Sequence, residues 1–439
     1  MPFPGERIYW HDHSVQPPDH GTPDLPDRVD VAVVGGGFTG LSVALHLARG
    51  GRKVALFEAA SLGYGASSRN GGMIGPGLHK LGITGLRKAY GEDRAKDILR
   101  EGLHALDHLE DFVTSEQIDC DLHLTGRFRG ARTPAQYEAS ARECDWLSKN
   151  INLPCHVVPA ADQHTEIGSD FYCGGNVYHR DGGVNPRKLV AGLTRRALDA
   201  GVTIFAPCAV TGINREAMGL SVRTDLGTLT TREVVLATNG YSDGRTRALS
   251  RRIVPIETGA SAIGPLSPGL MAELSPKLRM HGETGRVFMW YRPTPDGRSL
   301  IFGGRFGAGG MPLEARQKAF RHAITRVFPQ LHGSPFSHVW SGQIAYTKDH
   351  SPHLGHHDGV WMAGGYCGSG VTRSLYFGTK LARRMLGEAQ AGTAFDDLPF
   401  SPVPFRPLAP MGADLLARWY QMQDARDLKA RDLNRDSVS

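Results

Sequence analysis

The chain has 439 residues, enough for two domains or for one large domain with insertions. Hydrophobic residues make up 40% and charged residues 21%, which is ordinary for a soluble globular protein. The net charge of +6 is weak over this length, and no Lys/Arg cluster is interleaved with aromatics, so nucleic-acid binding is not expected; a modest positive potential suits an anionic cofactor or substrate.

The opening "MPFPGERIYWHDHS" has neither a basic stretch nor an apolar one after it, so no signal peptide is expected. His11 and His13 fall in what reads as an irregular arm. No apolar run approaches the roughly 20 residues of a spanning helix. The six cysteines (Cys120, Cys144, Cys155, Cys173, Cys208, Cys367) form no CxxC pair and no framework spacing, which predicts reduced thiols and a cytoplasmic location.

The first informative stretch is "DVAVVGGGFTGLSVALHLARGGRKVALFEA", Asp30 to Ala59. Val31–Val34 reads as a parallel strand apolar on both faces. Gly35-Gly36-Gly37-Phe38-Thr39-Gly40 then satisfies G-x-G-x-x-G: Gly35 for the tight turn, Gly37 for close approach of a pyrophosphate, Gly40 for helix-to-strand packing. A helix with Leu41, Ala44, Leu45 and Ala48 on one face follows and stops at Gly50-Gly51. Its N-terminal amides suit phosphates. Val54–Phe57 is the second strand, and Glu58 is placed to accept hydrogen bonds from a ribose diol, which disfavours NADP. This stretch does not separate FAD from NAD.

"GYGASSRNGGMIGPG", Gly63 to Gly77, comes where an NAD-binding fold would continue into a helix. It could lie extended along a longer cofactor and give donors to phosphates and a flavin ring; a flexible surface loop is the plainer alternative. Helical "RAKDILREGLHALDHLEDFV" comes next. Asn185-Pro186 opens a helix that Gly201 closes. Strands are expected around Val202–Phe205, Val210–Ile213 and Leu220–Arg223, and "EVVLATNGYS" runs a further buried strand into Thr238 and Asn239, which can return to the first glycine loop. "RVFMWYRPTPDGRSLIFGGR" reads as a hairpin turning at Pro295-Asp296-Gly297. "GVWMAGGYCGSGVTRSLYFGTKLARRMLG" repeats the strand–glycines–helix logic, and the helix start near Gly368 and Gly370 suits a flavin pyrimidine edge, where negative charge develops on reduction. His350, His353, His356 and His357 match no zinc-site spacing, so no metal is expected. The last residues read as one peripheral helix and a frayed charged tail.

Taken in this order, the pieces resemble the FAD-dependent oxidoreductases of the D-amino acid oxidase superfamily. "GASSRNGG", "LATNGYS", "GGYCGSGV" and "WSGQIAYTKDHSPHLG" are most similar to the gamma-glutamylputrescine oxidoreductase branch. The resemblance implies an α/β fold: a discontinuous Rossmann-type FAD-binding domain at about 1–90, 156–250 and 340–405, a mixed-sheet α+β substrate domain at 91–155 and 251–339, and a C-terminal helix and tail at 406–439. It implies cofactor contacts at Gly35, Gly37, Phe38, Thr39, Gly40, Glu58, Ala59, Ser67, Ser68, Arg69, Asn70, Gly71, Val210, Thr238, Asn239, Gly368, Gly370 and Val371, with Arg69 and Asn70 beside the isoalloxazine. The implied reaction is oxidation of an amine or amino acid C–N bond to an imine by hydride transfer to flavin N5, electrons passing to O₂ or a carrier.

Such chemistry needs a dry pocket and a deprotonated amine more than an elaborate catalytic constellation, and no proton-transfer residue stands out. Pocket candidates are Met73, Trp340, Gln343 and Tyr366, with Arg292 and Arg305 as partners for a substrate carboxylate; core aromatics and surface arginines are the plainer alternatives. Cys367 lies where a covalent flavin bond could form, though none is expected. Three rivals stay open: a D-amino acid dehydrogenase serving a quinone, an NAD-dependent dehydrogenase, and a non-catalytic flavoprotein subunit.

Overall fold

The computed structural model describes residues 5–217, 219–305 and 311–436, the side chains of 434–436 excepted. The end of the expected frayed tail, 437–439, lies outside them. Two eight-stranded sheets organise the chain. The first runs His353–His357, Val360–Gly364, Gly227–Leu236, Arg28–Val34, Val54–Phe57, Thr203–Phe205, with Val210–Glu216 and Gly219–Thr224 attached to Gly227–Leu236 as an antiparallel extension. Its central neighbours are parallel. Val31 and Val33 join one apolar cluster and Ala32 and Val34 another, so both faces of the first strand are covered.

Helices Phe38–Arg49, Pro186–Asp199 and Gly370–Leu386 pack together on one face. The first and last cross at small residues: Ser42 Oγ donates to Leu375 O at 2.9 Å, and a Cβ built on Gly378 would stand 2.7 Å from Ser42 Cβ. Asn185 caps the middle helix by accepting from the amides of Arg187 and Lys188.

The second sheet runs Phe336–Tyr346, Val254–Ile263, Leu300–Gly304, Met289–Pro293, Met280–Glu283, Arg127–Gly130, Gly175–Tyr178, Cys155–Val158. All pairs are antiparallel except Met280–Glu283 with Arg127–Gly130. Helix Leu313–Val327 covers one face, where Phe320, Ile324 and Val327 meet Phe302 and Leu300. The expected hairpin is present, with Gly297 at φ +65° in its turn.

Several boundaries differ from expectation. Gly175–Tyr178, inside the 156–250 stretch, and Cys155–Val158, which straddles its start, pair in the second sheet, as does Phe336–Tyr346, which straddles the start of the 340–405 stretch. Conversely, helix Glu92–Ser115 of the 91–155 stretch sends Leu106, Leu109, Phe112 and Val113 into the core of the first lobe. Strand pairing partners lie far away in sequence, so composition does not show which sheet takes a strand. The N-terminal arm is not irregular throughout: Tyr9–Asp12 is a helical turn that includes His11, with Trp10 fully buried, while His13 lies just past its end. Nor is the C-terminal helix, Ala409–Asp436, peripheral. Asp424 is buried, accepting from the backbone amides of Arg286 and Val287 and from the guanidinium groups of Arg132 and Arg286.

His281 lies fully buried on the second sheet, bonded to Ser275 Oγ at 2.8 Å, and burial pushes its pKa down to about 3. The unfolded chain takes up a proton there below about pH 6.5 while the folded chain stays neutral, so this residue's contribution is complete above that pH and is lost as pH falls towards 3. The loss is about 1.4 kcal/mol per pH unit. Denaturant unfolding at pH 7 and pH 5 should therefore show a flatter pH dependence for His281→Gln, by about one proton.

Candidate active site

The site begins where three parallel strands stop together. Val34 pairs with both Phe57 and Leu236, so Gly35, Glu58 and Ala237 emerge at one level. Gly35 N donates to Phe57 O at 2.8 Å and Ala237 N to Val34 O at 2.9 Å. Gly35 holds φ +110°, and a Cβ on Gly40 would stand 1.8 Å from Gly35 O. Only glycine fits either position.

Glu58 accepts from Gly36 N at 2.8 Å and Ala60 N at 3.0 Å. Burial raises its pKa against those backbone bonds. Ser67 Oγ accepts from Phe38 N at 3.0 Å, and a Cβ on Gly37 would stand 2.7 Å from that oxygen, which leaves a cradle at the helix start. Gly35, Gly37, Phe38, Thr39, Glu58, Ala59 and Ser67 line one end of a cavity of about 1430 Å³. Val210, Thr238, Asn239, Gly368, Gly370 and Val371 line it too, as do Arg69, Asn70 and Gly71. The starts of Phe38–Arg49 and Gly370–Leu386 thus both reach one cavity, whose size exceeds an ordinary ligand pocket of roughly 300–1,000 Å³. This donor-rich cradle fits a dinucleotide pyrophosphate.

Two of the predicted cofactor residues stand behind the wall. Gly40 contributes close packing. Ser68 is fully buried and donates to Gly63 O at 2.7 Å, with His11 Nε2 at 3.1 Å from its oxygen. Arg69 ties the two lobes: its guanidinium donates to Tyr64 O at 2.7 Å and Ser341 O at 3.2 Å, while its own carbonyl accepts from Trp340 Nε1 at 2.7 Å. Asn70 closes its own loop, donating to Ala66 O and Ser67 O and accepting from Gly72 N.

Among the pocket candidates, Met73, Arg305, Trp340, Gln343 and Tyr366 line the cavity. The Tyr366 hydroxyl meets Thr39 Oγ1 at 2.7 Å, and burial raises its pKa. Arg305 is bound to Asp414 of the C-terminal helix at 2.7 Å. Arg292 is not a carboxylate partner. It is buried behind the Arg69–Gly72 loop, where its guanidinium donates to Gly72 O and Val184 O, each at 3.0 Å, and to Pro293 O at 2.9 Å. Burial lowers its pKa to about 10. The Cys367 Sγ donates to Gly365 O at 3.1 Å, and burial raises the thiol's pKa. His353 is bonded to Asp349, and His356 stacks on Trp361.

Other cavity-lining positions escaped the sequence reading. Arg127 and Arg129 line the far wall, paired with Asp181 at 2.7 Å and Glu143 at 2.9 Å. Lys80 projects into the same space. Leu416, Ala417 and Tyr420 of the C-terminal helix close it. The arginines alternate along a short strand, a weak cue; Lys80 and the closing helix left no motif.

Residues 30–384 match the family described as DAO, FAD dependent oxidoreductase. The gamma-glutamylputrescine oxidoreductase of Escherichia coli (strain K12) is 30% identical over 377 residues, covering 85% of this chain and 88% of its own. The glycine oxidase of Geobacillus kaustophilus is 26% identical, covering 86% and 97%. In three dimensions, the crystal structure of glycine oxidase from Geobacillus kaustophilus superposes with a TM-score of 0.71 at 22% identity, covering 86% of this chain and 99% of that one. L-proline dehydrogenase from P. horikoshii gives 0.70 at 18% identity, covering 84% and 96%.

The chain belongs to the DAO family of FAD-dependent oxidoreductases. It is an oxidoreductase acting on amines or amino acids, and FAD is its cofactor. Among the described residues no helix is long and apolar enough to cross a membrane.

Two substitutions separate cradle from clamp. Gly40→Val should abolish FAD retention, read as loss of the visible flavin spectrum after gel filtration. Arg292→Met removes the guanidinium bonds to the Gly72, Val184 and Pro293 carbonyls, of which Gly72 O keeps its bond from Val184 N at 2.8 Å. It should lower unfolding free energy by about 3 kcal/mol in denaturant melts.

Proposed function

We propose that the chain oxidises the primary amine of a long, polar substrate of gamma-glutamylputrescine type to an imine, which water then hydrolyses. The observation that carries this reading is the cavity's continuity from Glu58 past the Arg69–Gly72 loop to a wall of paired ions, Arg127–Asp181 and Arg129–Glu143. A substrate as small as glycine would leave that wall untouched. A polar tail can exchange hydrogen bonds with it. The relative in Escherichia coli that bears this substrate's name supports the same assignment.

Bound FAD supplies the two-electron acceptor for the carbon next to nitrogen. The protein's own residues position and enclose. Glu58 is set to receive ribose hydroxyls, Arg69 and Trp340 hold the Arg69–Gly72 loop against the second sheet, and Tyr241 accepts from Gln343 N at 3.2 Å to fix the wall opposite. Leu416 and Tyr420 border the open side, held there by the Arg305–Asp414 and Arg286–Asp424 pairs. We assign electron transfer onward to O₂ or a carrier, and a cytoplasmic location, which the six free thiols support.

The test is anaerobic mixing of the FAD-loaded protein with gamma-glutamylputrescine, sarcosine and D-alanine. Gamma-glutamylputrescine should bleach the visible flavin band fastest, by tenfold or more. Equal or faster bleaching by sarcosine or D-alanine would reject the substrate assignment. Peroxide formed on admitting air assigns O₂ as acceptor; dye-dependent turnover without peroxide assigns a carrier.

A further inference from the structure

Within the cavity one charged side chain is not accounted for by the fold or by the cofactor cradle. Lys80 follows the Gly71–Gly77 loop, and its side chain is open to the cavity while the two lobes enclose it. A Cβ built on Gly368 would stand 3.7 Å from Lys80 Nζ, and the Phe288 ring centroid lies 5.2 Å from the same nitrogen. Among the described residues no carboxylate pairs with it. The carboxylates that line this wall are engaged elsewhere, Asp181 by Arg127 and Glu143 by Arg129.

We propose that Lys80 is the group that takes the proton from the substrate's ammonium, placed in the cavity beside the Gly368 turn. The proposal rests on the amine-oxidising function argued above. An ammonium nitrogen has no lone pair to support loss of hydride from its neighbouring carbon, so one proton must leave first. The step moves no electrons between molecules: an N–H bond of the substrate breaks, the lone pair of Lys80 Nζ forms a new N–H bond, and the substrate is left as a neutral amine. The proton passes from Lys80 to water once product has gone.

The charged side chains around Lys80 favour its neutral form, while the Phe288 ring favours the ammonium. Burial lowers its pKa, and Arg373 from the last helix with Arg127 and Arg129 from the second sheet lower it further. Cys367 would oppose them as a thiolate, but burial keeps the thiol protonated. His79 and His350 face the same space with pKa values also lowered by burial, His79 to about 3, so both are neutral near neutral pH and add no charge of either sign. Neither is suited to the task, because both hold a proton too weakly to accept one from an amine near neutral pH.

Two measurements test this. The first is acetylation of the FAD-loaded protein by acetic anhydride across pH 6–11, read by peptide mass spectrometry, which follows Lys80 without turnover. Lys80 should become reactive at lower pH in the folded protein than in the protein unfolded in denaturant; the same pH dependence in both overturns the proposal. The second is anaerobic flavin bleaching by gamma-glutamylputrescine with Lys80→Met and Lys80→Arg, both checked for retained FAD. Loss of a positioned base should slow reduction about 100-fold at pH 8 in both variants, with recovery towards pH 10 as the amine loses its own proton. Arginine keeps the charge but cannot give up its proton, so a Lys80→Arg variant at the native rate would make Lys80 a charge anchor and overturn the proposal. Native rates in both variants do the same. If none of gamma-glutamylputrescine, sarcosine and D-alanine bleaches the native protein at any pH, the amine-oxidising function fails, and the role of Lys80 falls with it; bleaching of the native protein with unaffected variants removes the role of Lys80 alone.

Discussion

The common end of three parallel strands is the constraint from which the site follows. Because Val34 is in register with both Phe57 and Leu236, the backbone beyond each strand arrives at one level. A cofactor laid across that level meets a glycine turn, an acid and a second turn without any further adjustment. The cost is conformational. Gly35 must take φ +110°, and Gly40 must let the helix start pass within contact of Gly35 O. In return two helix starts reach one cavity and offer partial positive charge to an anionic ligand.

The two lobes are joined at that cavity by buried guanidinium groups rather than by apolar packing alone. Arg69 binds backbone carbonyls on both sides, Tyr64 and Ser341, and stacks over the Tyr64 ring at 4.5 Å. Arg292 does the same behind the loop, from the second sheet to Gly72 and Val184. A desolvated arginine is costly unless most of its donors are bonded, and each of these donates to backbone carbonyls of the surrounding loops and strands. The loop Arg69–Gly72 is therefore fixed from the front, the back and, through Trp10 donating to Asn70 O at 2.8 Å, from the N-terminal turn. A site built on so held a loop can position substrate without induced rearrangement.

The C-terminal helix gives the cavity its fourth wall, and its attachment is ionic. Asp424 is buried between Arg132 and Arg286 and also takes two backbone amides, while Asp414 holds Arg305. The helix carries little amphipathic signal of its own, since Leu415, Trp419 and Met422 remain exposed beside the buried Ala417.

Local chemistry fixed much of this in advance. Glycine at 35, 37 and 40, the acid at Glu58 and the strand–glycine–helix repeat near Gly368 are short-range signatures, because each depends on what a backbone of that shape can tolerate next to a phosphate or a strand. They mark the nucleotide lobe, whereas the cofactor and the family follow from the resemblance carried by the longer segments at Gly65–Gly72, Leu236–Ser242, Trp340–Gly355 and Gly364–Val371. Tertiary structure alone decided what depends on pairing between distant segments: that Cys155–Val158 joins the second sheet, that Arg292 turns to carbonyls and away from substrate, that Trp10 backs the Arg69–Gly72 loop, that the last helix lines the cavity, and that Lys80 faces it. A side chain's role there is set by which neighbours compete for its donors and charge, and those neighbours come from chain segments with no periodicity or motif in common.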